Sequence, residues 1–193
     1  DLLKFFADLL NEYLMSRLDG ANRNERFIYL FNKLILSICD VAQRLIKELS
    51  LSRFAPVDFE LKIGFDGDIP PYEVKAANGK IVISGAVDRV DEAVINNEKY
   101  IRIVDYKSSG KDFALSDVIQ GLNMQMFIYL FTLWQNGEKK YGKFTPAGVL
   151  YYPANSPLVS VERNKSTEDI DAERQKKCRM NGIILNDPDV ITA

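Results

Sequence analysis

Apolar residues along this chain recur first at helical spacing, then gather into short strand-like runs, and then return to helical spacing. From about Leu2 to Leu18, the residues Leu2, Phe6, Leu9, Leu10, Tyr13 and Leu14 fall on one side of a helix. Asp19-Gly20 and a polar stretch break that pattern. A second helix is predicted from Glu25 to Leu49, where Phe27, Phe31, Leu34, Ile38, Val41, Leu45 and Leu49 form a long stripe that faces a core. The chain opens abruptly inside helical pattern, which suggests a piece of a longer protein.

The texture then changes. Phe59 to Phe65 (FELKIGF) reads as a strand, and Pro70-Pro71 marks a loop. Lys80 to Ile95 and Tyr100 to Tyr106 are rich in Ile and Val, with Asn96-Asn97 near their junction. Asparagine tolerates left-handed backbone angles, so a hairpin turn is expected there. A short helix over Leu115 to Gln120 and a stronger one over Asn123 to Gln135 precede a buried strand, AGVLYY, from Ala147 to Tyr152. The polar stretch from Ser156 to Arg179 predicts an edge strand and then a helix from Thr167, and the final residues carry no assignable pattern. Helices, a meander of strands, a helix and a further strand describe an α/β sandwich around a mixed sheet.

Length and composition narrow this picture. The 193 residues fit one domain, divided into N-terminal helices over 1–50, an α/β core over 55–153 and a C-terminal extension over 154–193. No apolar run approaches the roughly 18 residues that span a bilayer, and no signal peptide opens the chain. The two cysteines, Cys39 and Cys178, lack metal-ligand spacing and are too few for a disulfide framework, which suits a reducing cytoplasm. A net charge of −2 means that a nucleic-acid enzyme of this composition relies on local basic groups. The chain has no histidine. That excludes Ser-His-Asp triads and His-ligated zinc, and leaves carboxylates, lysine, tyrosine and metal-bound water for any hydrolysis.

The informative segment is GAVDRVDEAVINNEKYIRIVDYKSSG, Gly85 to Gly110. With Asn96 and Asn97 as a two-residue turn, Ile95 pairs with Glu98 and Asp88 falls opposite Asp105. Cross-strand partners share a sheet face with Cβ atoms about 4.5–5.5 Å apart. Residues two apart on a strand also share a face, which sets Lys107 beside Asp105. Facing carboxylates need a raised pKa or a cation. A hard divalent ion with oxygen ligands, most naturally Mg²⁺, meets that need, lowers the pKa of a bound water and stabilises charge on a phosphate oxygen. Lys107 could orient the attacking water or neutralise developing charge. A slip of one residue in the register would separate the two faces. The plainer reading stands beside this one: strand-end aspartates often cap turns, Glu60 is by itself a solvated strand residue, and Gln125 and Tyr129 share a helix face at a polar boundary.

Taken in order, SRFAPVDFELKIGFDG, ISGAVDRVDE, IRIVDYKSSG, GLNMQMFIYLF and AGVLYYP, spanning Ser52 to Pro153, resemble the RecB-type branch of the PD-(D/E)XK nuclease superfamily, and within it the nuclease domains of helicase–nuclease subunits. The resemblance implies a restriction-endonuclease-like fold, a central mixed sheet flanked by helices with an N-terminal helical pair. It implies a Mg²⁺-dependent (Mn²⁺ possible) exodeoxyribonuclease that hydrolyses one strand of unwound DNA during recombinational repair of double-strand breaks. Asp88, Asp105 and the Tyr106 main-chain carbonyl match the metal ligands, Lys107 completes the D-x-K pair, and Glu60 matches a supporting acidic residue. Gln125 and Tyr129 match a Q-x-x-x-Y helix that contacts DNA. Arg89 follows the family's DR dipeptide in a structural or phosphate-facing, substrate-binding role. Implied partners are DNA and a partner helicase–nuclease subunit (AddA-like). The metal-ligating histidine of many relatives is absent here. Full-length relatives hold a 4Fe-4S cluster on four cysteines that Cys39 and Cys178 do not match, so no cluster and no ATP hydrolysis are expected of this piece. A non-catalytic DNA-binding scaffold on the same fold and a phage- or CRISPR-associated exonuclease are the alternatives.

Overall fold

In a computed structural model, which describes residues 2–17, 25–108, 113–155 and 166–193, two helices lead into the sheet region. They are α1 (Leu2–Arg17) and α2 (Glu25–Leu51). The strands β1 (Ala55–Ile63), β2 (Tyr72–Ala76), β3 (Gly79–Ile83), β4 (Gly85–Ile95) and β5 (Glu98–Lys107) follow. Then come α3 (Leu115–Ile119), α4 (Gln125–Asn136), α5 (Glu138–Tyr141), β6 (Thr145–Pro153), α6 (Thr167–Lys177), β7 (Asn181–Ile184) and α7 (Pro188–Thr192). Leu18, Asp19-Gly20, Gly110 and the edge strand expected between Ser156 and the last helices lie outside the described residues. Among the described residues no helix is long and apolar enough to cross a membrane.

Among the described residues, five strands make a mixed sheet in the order β1-β4-β5-β6-β7. β1 and β4, β4 and β5, and β6 and β7 pair antiparallel, whereas β5 and β6 pair parallel. A parallel pair needs a crossover rather than a tight turn, and the segment carrying α3, α4 and α5 supplies it. Strands β5 and β6 are covered on both faces, which is why their apolar residues run together rather than alternate. On one face Val90, Ile101, Ile103 and Val149 meet Met126, Tyr129, Leu130 and Leu133 of α4. On the other, Val104, Leu150, Tyr152 and Tyr106 meet Val41 and Leu45 of α2.

The structure departs from the expected pattern in several places. The Ile/Val-rich run from Lys80 to Ile95 is two strands: β3 pairs with β2 in a separate hairpin, and only β4 joins the main sheet. The C-terminal residues, which carry no periodicity, form β7 on the edge of the sheet and then α7. Helix α7 starts with Asp187 capping the Asp189 and Val190 amides and with Pro188 at its first position. The expected stripe on α2 holds except at Leu34, which is 49% exposed, and Ile35 and Cys39 are buried in addition. Helix α2 packs on α1 and, through Val41 and Leu45, on the sheet.

Candidate functional site

The β4–β5 hairpin turns on Asn96 and Asn97, with φ of 52° and 66°, the left-handed pair that a two-residue turn demands. Its register runs as expected from Ile95↔Glu98 to Arg89↔Val104. Asp88, one residue further, sits where the strands part, and its Oδ2 accepts the Tyr106 N–H at 2.8 Å. The carboxylate thus replaces the ladder bond at the end of the hairpin. Lys107 Nζ lies 2.5 Å from Asp105 Oδ2, an ion pair, and among the described residues that buried oxygen has no other polar partner. Burial pushes the Asp105 carboxyl above the ordinary carboxylate range; Lys107 opposes the shift and the charge of Asp88 adds to it. Asp88, Asp105 and Lys107 therefore share one patch.

A strand neighbour missing from the sequence reading completes this patch. Tyr151 of β6 pairs in register with Asp105, stacks on Phe113 at 5.6 Å and lies 5.5 Å from Lys107 Nζ, measured from its ring centroid. Burial and then the Asp105 charge hold its hydroxyl above its ordinary pKa. The parallel β5–β6 register, which brings Tyr151 here, had no local signal.

Glu60 lies on β1 between Phe59↔Arg89 and Leu61↔Val87, hence alongside Asp88 in the next strand. Its φ of 50° is left-handed, rare for a residue with a Cβ. The twist reverses the strand's alternation, so Phe59 and Glu60 are both exposed while Leu61 is buried. Glu60 is exposed, and it is not brought together with Asp88 and Asp105 into a group of three carboxylates.

Gln125 and Tyr129, one turn apart on α4, are bonded to each other: Gln125 Nε2 donates to Tyr129 Oη at 2.9 Å. Gln125 is exposed at the start of the helix, and Tyr129 is 7% exposed. The tyrosine hydroxyl lies over Gly85, where any Cβ would collide with the ring. The glycine three residues before Asp88 is thus the seat of the helix.

Arg89 is completely buried. It pairs with Asp91 at 2.8 Å and Glu48 at 3.3 Å, and donates to the Tyr106 hydroxyl at 3.3 Å. Burial alone would lower its pKa, but the hydrogen bond and charge of Asp91 outweigh that and raise it. Of the two roles expected for Arg89, the phosphate-facing one gives way to the structural one, because the guanidinium has no surface to offer. Arg102, opposite Asp91 in the hairpin, shares Asp91 and Glu48 at 2.9 Å each. The hairpin register already placed Asp91 against Arg102, so that pair was legible; Glu48, from α2, was not.

Among the described residues no group of three or more His, Cys, Asp or Glu side chains could hold a metal ion.

The chain is 39% identical over 174 residues to an ATP-dependent helicase/deoxyribonuclease subunit of Bacillus anthracis, covering 87% of this chain and 15% of that protein. It is 38% identical over 167 residues to the same protein of Listeria monocytogenes, covering 86% of this chain and 14% of the relative. With that of Ruminiclostridium cellulolyticum it shares 35% identity over 190 residues, 97% of this chain and 16% of the relative. The chain thus spans only about one-seventh of the length of these relatives. The family model of the PD-(D/E)XK nuclease superfamily matches residues 6–184, and together with the helix-flanked mixed sheet this shows that the chain belongs to that superfamily.

Proposed function

We propose that this chain is the metal-dependent deoxyribonuclease part of a helicase–nuclease, hydrolysing phosphodiester bonds of one strand of unwound DNA in recombinational repair of double-strand breaks. The observation that carries it is the convergence of Asp88, Asp105 and Lys107 at one end of the β4–β5 hairpin. The donor chemistry fits a hard divalent cation: all the ligands are oxygen, and a partly buried carboxylate is pushed toward protonation by its surroundings and by a second carboxylate. Mg²⁺ or Mn²⁺ would be held by Asp88, Asp105 and the Tyr106 main-chain carbonyl. Mg²⁺ usually takes one or two carboxylates and leaves its other positions to water and substrate phosphate, so two suffice. When bound, the ion supplies Lewis acidity toward water and phosphate oxygen.

The residues of the chain do the rest. Lys107 places an ammonium against the developing phosphate charge and orients the attacking water. Asp88 is aligned by a main-chain N–H and needs no reorganisation on substrate arrival. Gln125 presents its exposed amide to the DNA strand, and Tyr129 fixes the rotamer of that amide from below. Glu60 supports the acidic row from β1. The relatives are named as subunits of an ATP-dependent helicase/deoxyribonuclease, which supports a helicase working with the nuclease; on this reading an AddA-like partner subunit and a helicase-bearing remainder deliver unwound DNA in the cytoplasm.

The test is Mg²⁺-dependent cleavage of single-stranded DNA. Asp105→Ala is expected to lower the rate by at least about a hundredfold. Equal rates for the two proteins overturn the assignment.

A further inference from the structure

Asp88 and Arg89 are consecutive on β4, and both end on the same residue. Tyr106 N–H donates to Asp88 Oδ2 at 2.8 Å. The side chain of Tyr106 lies on the α2 face, where its hydroxyl accepts from Arg89 Nη1 at 3.3 Å. The guanidinium carbon stands 5.9 Å from the centroid of the same ring, and Tyr152 meets that ring edge-on at 5.7 Å. Arg89 itself cannot wander. Asp91 and Glu48 grip it, and both also grip Arg102, so two arginines and two carboxylates tie α2 to β4 and β5.

A merely structural role does not need such a network. Apolar side chains of similar volume commonly hold a helix on a sheet as well or better, because burying charges costs desolvation. What apolar packing lacks is direction: a guanidinium fork donates along set lines and leaves the tyrosine hydroxyl one low-energy place. The backbone amide of that tyrosine is the donor that aims the Asp88 carboxylate. Hydrogen-bonded groups behind a metal ligand commonly set its orientation and its affinity.

We infer that Arg89, Tyr106 and Glu48 are positioning residues, which carry the docking of α2 through the sheet to the Asp88 carboxylate and set how tightly the site holds a divalent cation. This rests on the metal-dependent reading above. The DR dipeptide then divides its work: the aspartate holds the ion, and the arginine holds the residue that holds the aspartate.

Calorimetric titration of the chain with Mn²⁺, together with the amide resonance of Tyr106, tests this. Tyr106→Phe removes the hydroxyl and keeps both the ring and the main-chain carbonyl. It is expected to weaken Mn²⁺ binding by about tenfold and to shift the residue 106 amide resonance, measured well below the melting temperature. Arg89→Lys, which cannot serve Tyr106 and Asp91 at once, is expected to weaken binding at least as much. Unchanged affinity and an unchanged amide in Tyr106→Phe overturn the inference, whatever happens to the melting temperature; this variant decides the matter should Arg89→Lys not fold. If the unsubstituted chain takes up no Mn²⁺, or does so equally well as Asp88→Ala, the metal-dependent reading falls and the inference falls with it. Uptake that depends on Asp88 but not on the Tyr106 hydroxyl sinks the inference alone.

Discussion

Asp105 is under opposing pressures: burial and Asp88 favour its proton, and Lys107 favours its charge. Burial wins, so the folded chain holds this proton more tightly than the unfolded chain does. Stability contributed by such a group falls as pH rises from the usual carboxylate range through the raised value, and the penalty is fully present above it. In metal-free buffer, the melting temperature of the wild type relative to Asp105→Asn is therefore expected to drop as pH rises from about 4 toward 7. Melting curves of both proteins across that range check it; a constant difference would mean that the carboxyl is not perturbed. The hairpin register from Ile95↔Glu98 to Arg89↔Val104 could be read in advance because the two turn asparagines set it, and alternation along β5 then puts Asp105 and Lys107 on one side. The left-handed φ of Glu60 could not be, since nothing in FELKIGF distinguishes the residue at which the strand twists. Nor could the burial of Arg89, whose covering carboxylate Glu48 comes from a helix forty-one residues away.

Between elements, the decisive contact is α4 on β4. Gly85 lets the Tyr129 ring lie directly on the strand, and the Gln125–Tyr129 bond then fixes the exposed start of the helix. Gly85→Ala is expected to cost about 1–3 kcal/mol, as overpacking in a filled site does, and to move Gln125. Denaturant unfolding measures the first effect; a stability equal to that of the wild type would show that Tyr129 gives way freely. The hairpin of β4 and β5 was visible from Asn96-Asn97, and α3, α4 and β6 from their periodicity or apolar run. The break between β3 and β4 was hidden, because both segments are rich in Ile and Val and only their partners differ. The short strand β7 exists through its pairing with β6, and Gly182 lets it lie against the Val149 carbonyl. For α7 a local signal was present in Asp187-Pro188.

For the whole molecule, a net charge of −2 rules out a broad positive field. If phosphate contacts are confined to Lys107 and a few neighbours, few counterions are released on binding a single strand. A plot of log affinity for single-stranded DNA against log salt is then expected to have a shallow slope, about −1 to −2. Fluorescence anisotropy in Ca²⁺ buffer over a salt series measures it, and a steep slope would reveal a basic track elsewhere on the chain. Local order fixed most of what could be foreseen: helix periodicity, the turn asparagines, and the hairpin register they set depend on residues close in sequence. Contacts between distant segments were another matter. The parallel pairing that sets Tyr151 beside Asp105, the glycine beneath Tyr129, and the carboxylate of α2 that locks Arg89 exist only once the chain has closed on itself. No local pattern encodes which of many possible partners a buried group will meet, because that choice is made by packing and desolvation across the whole core.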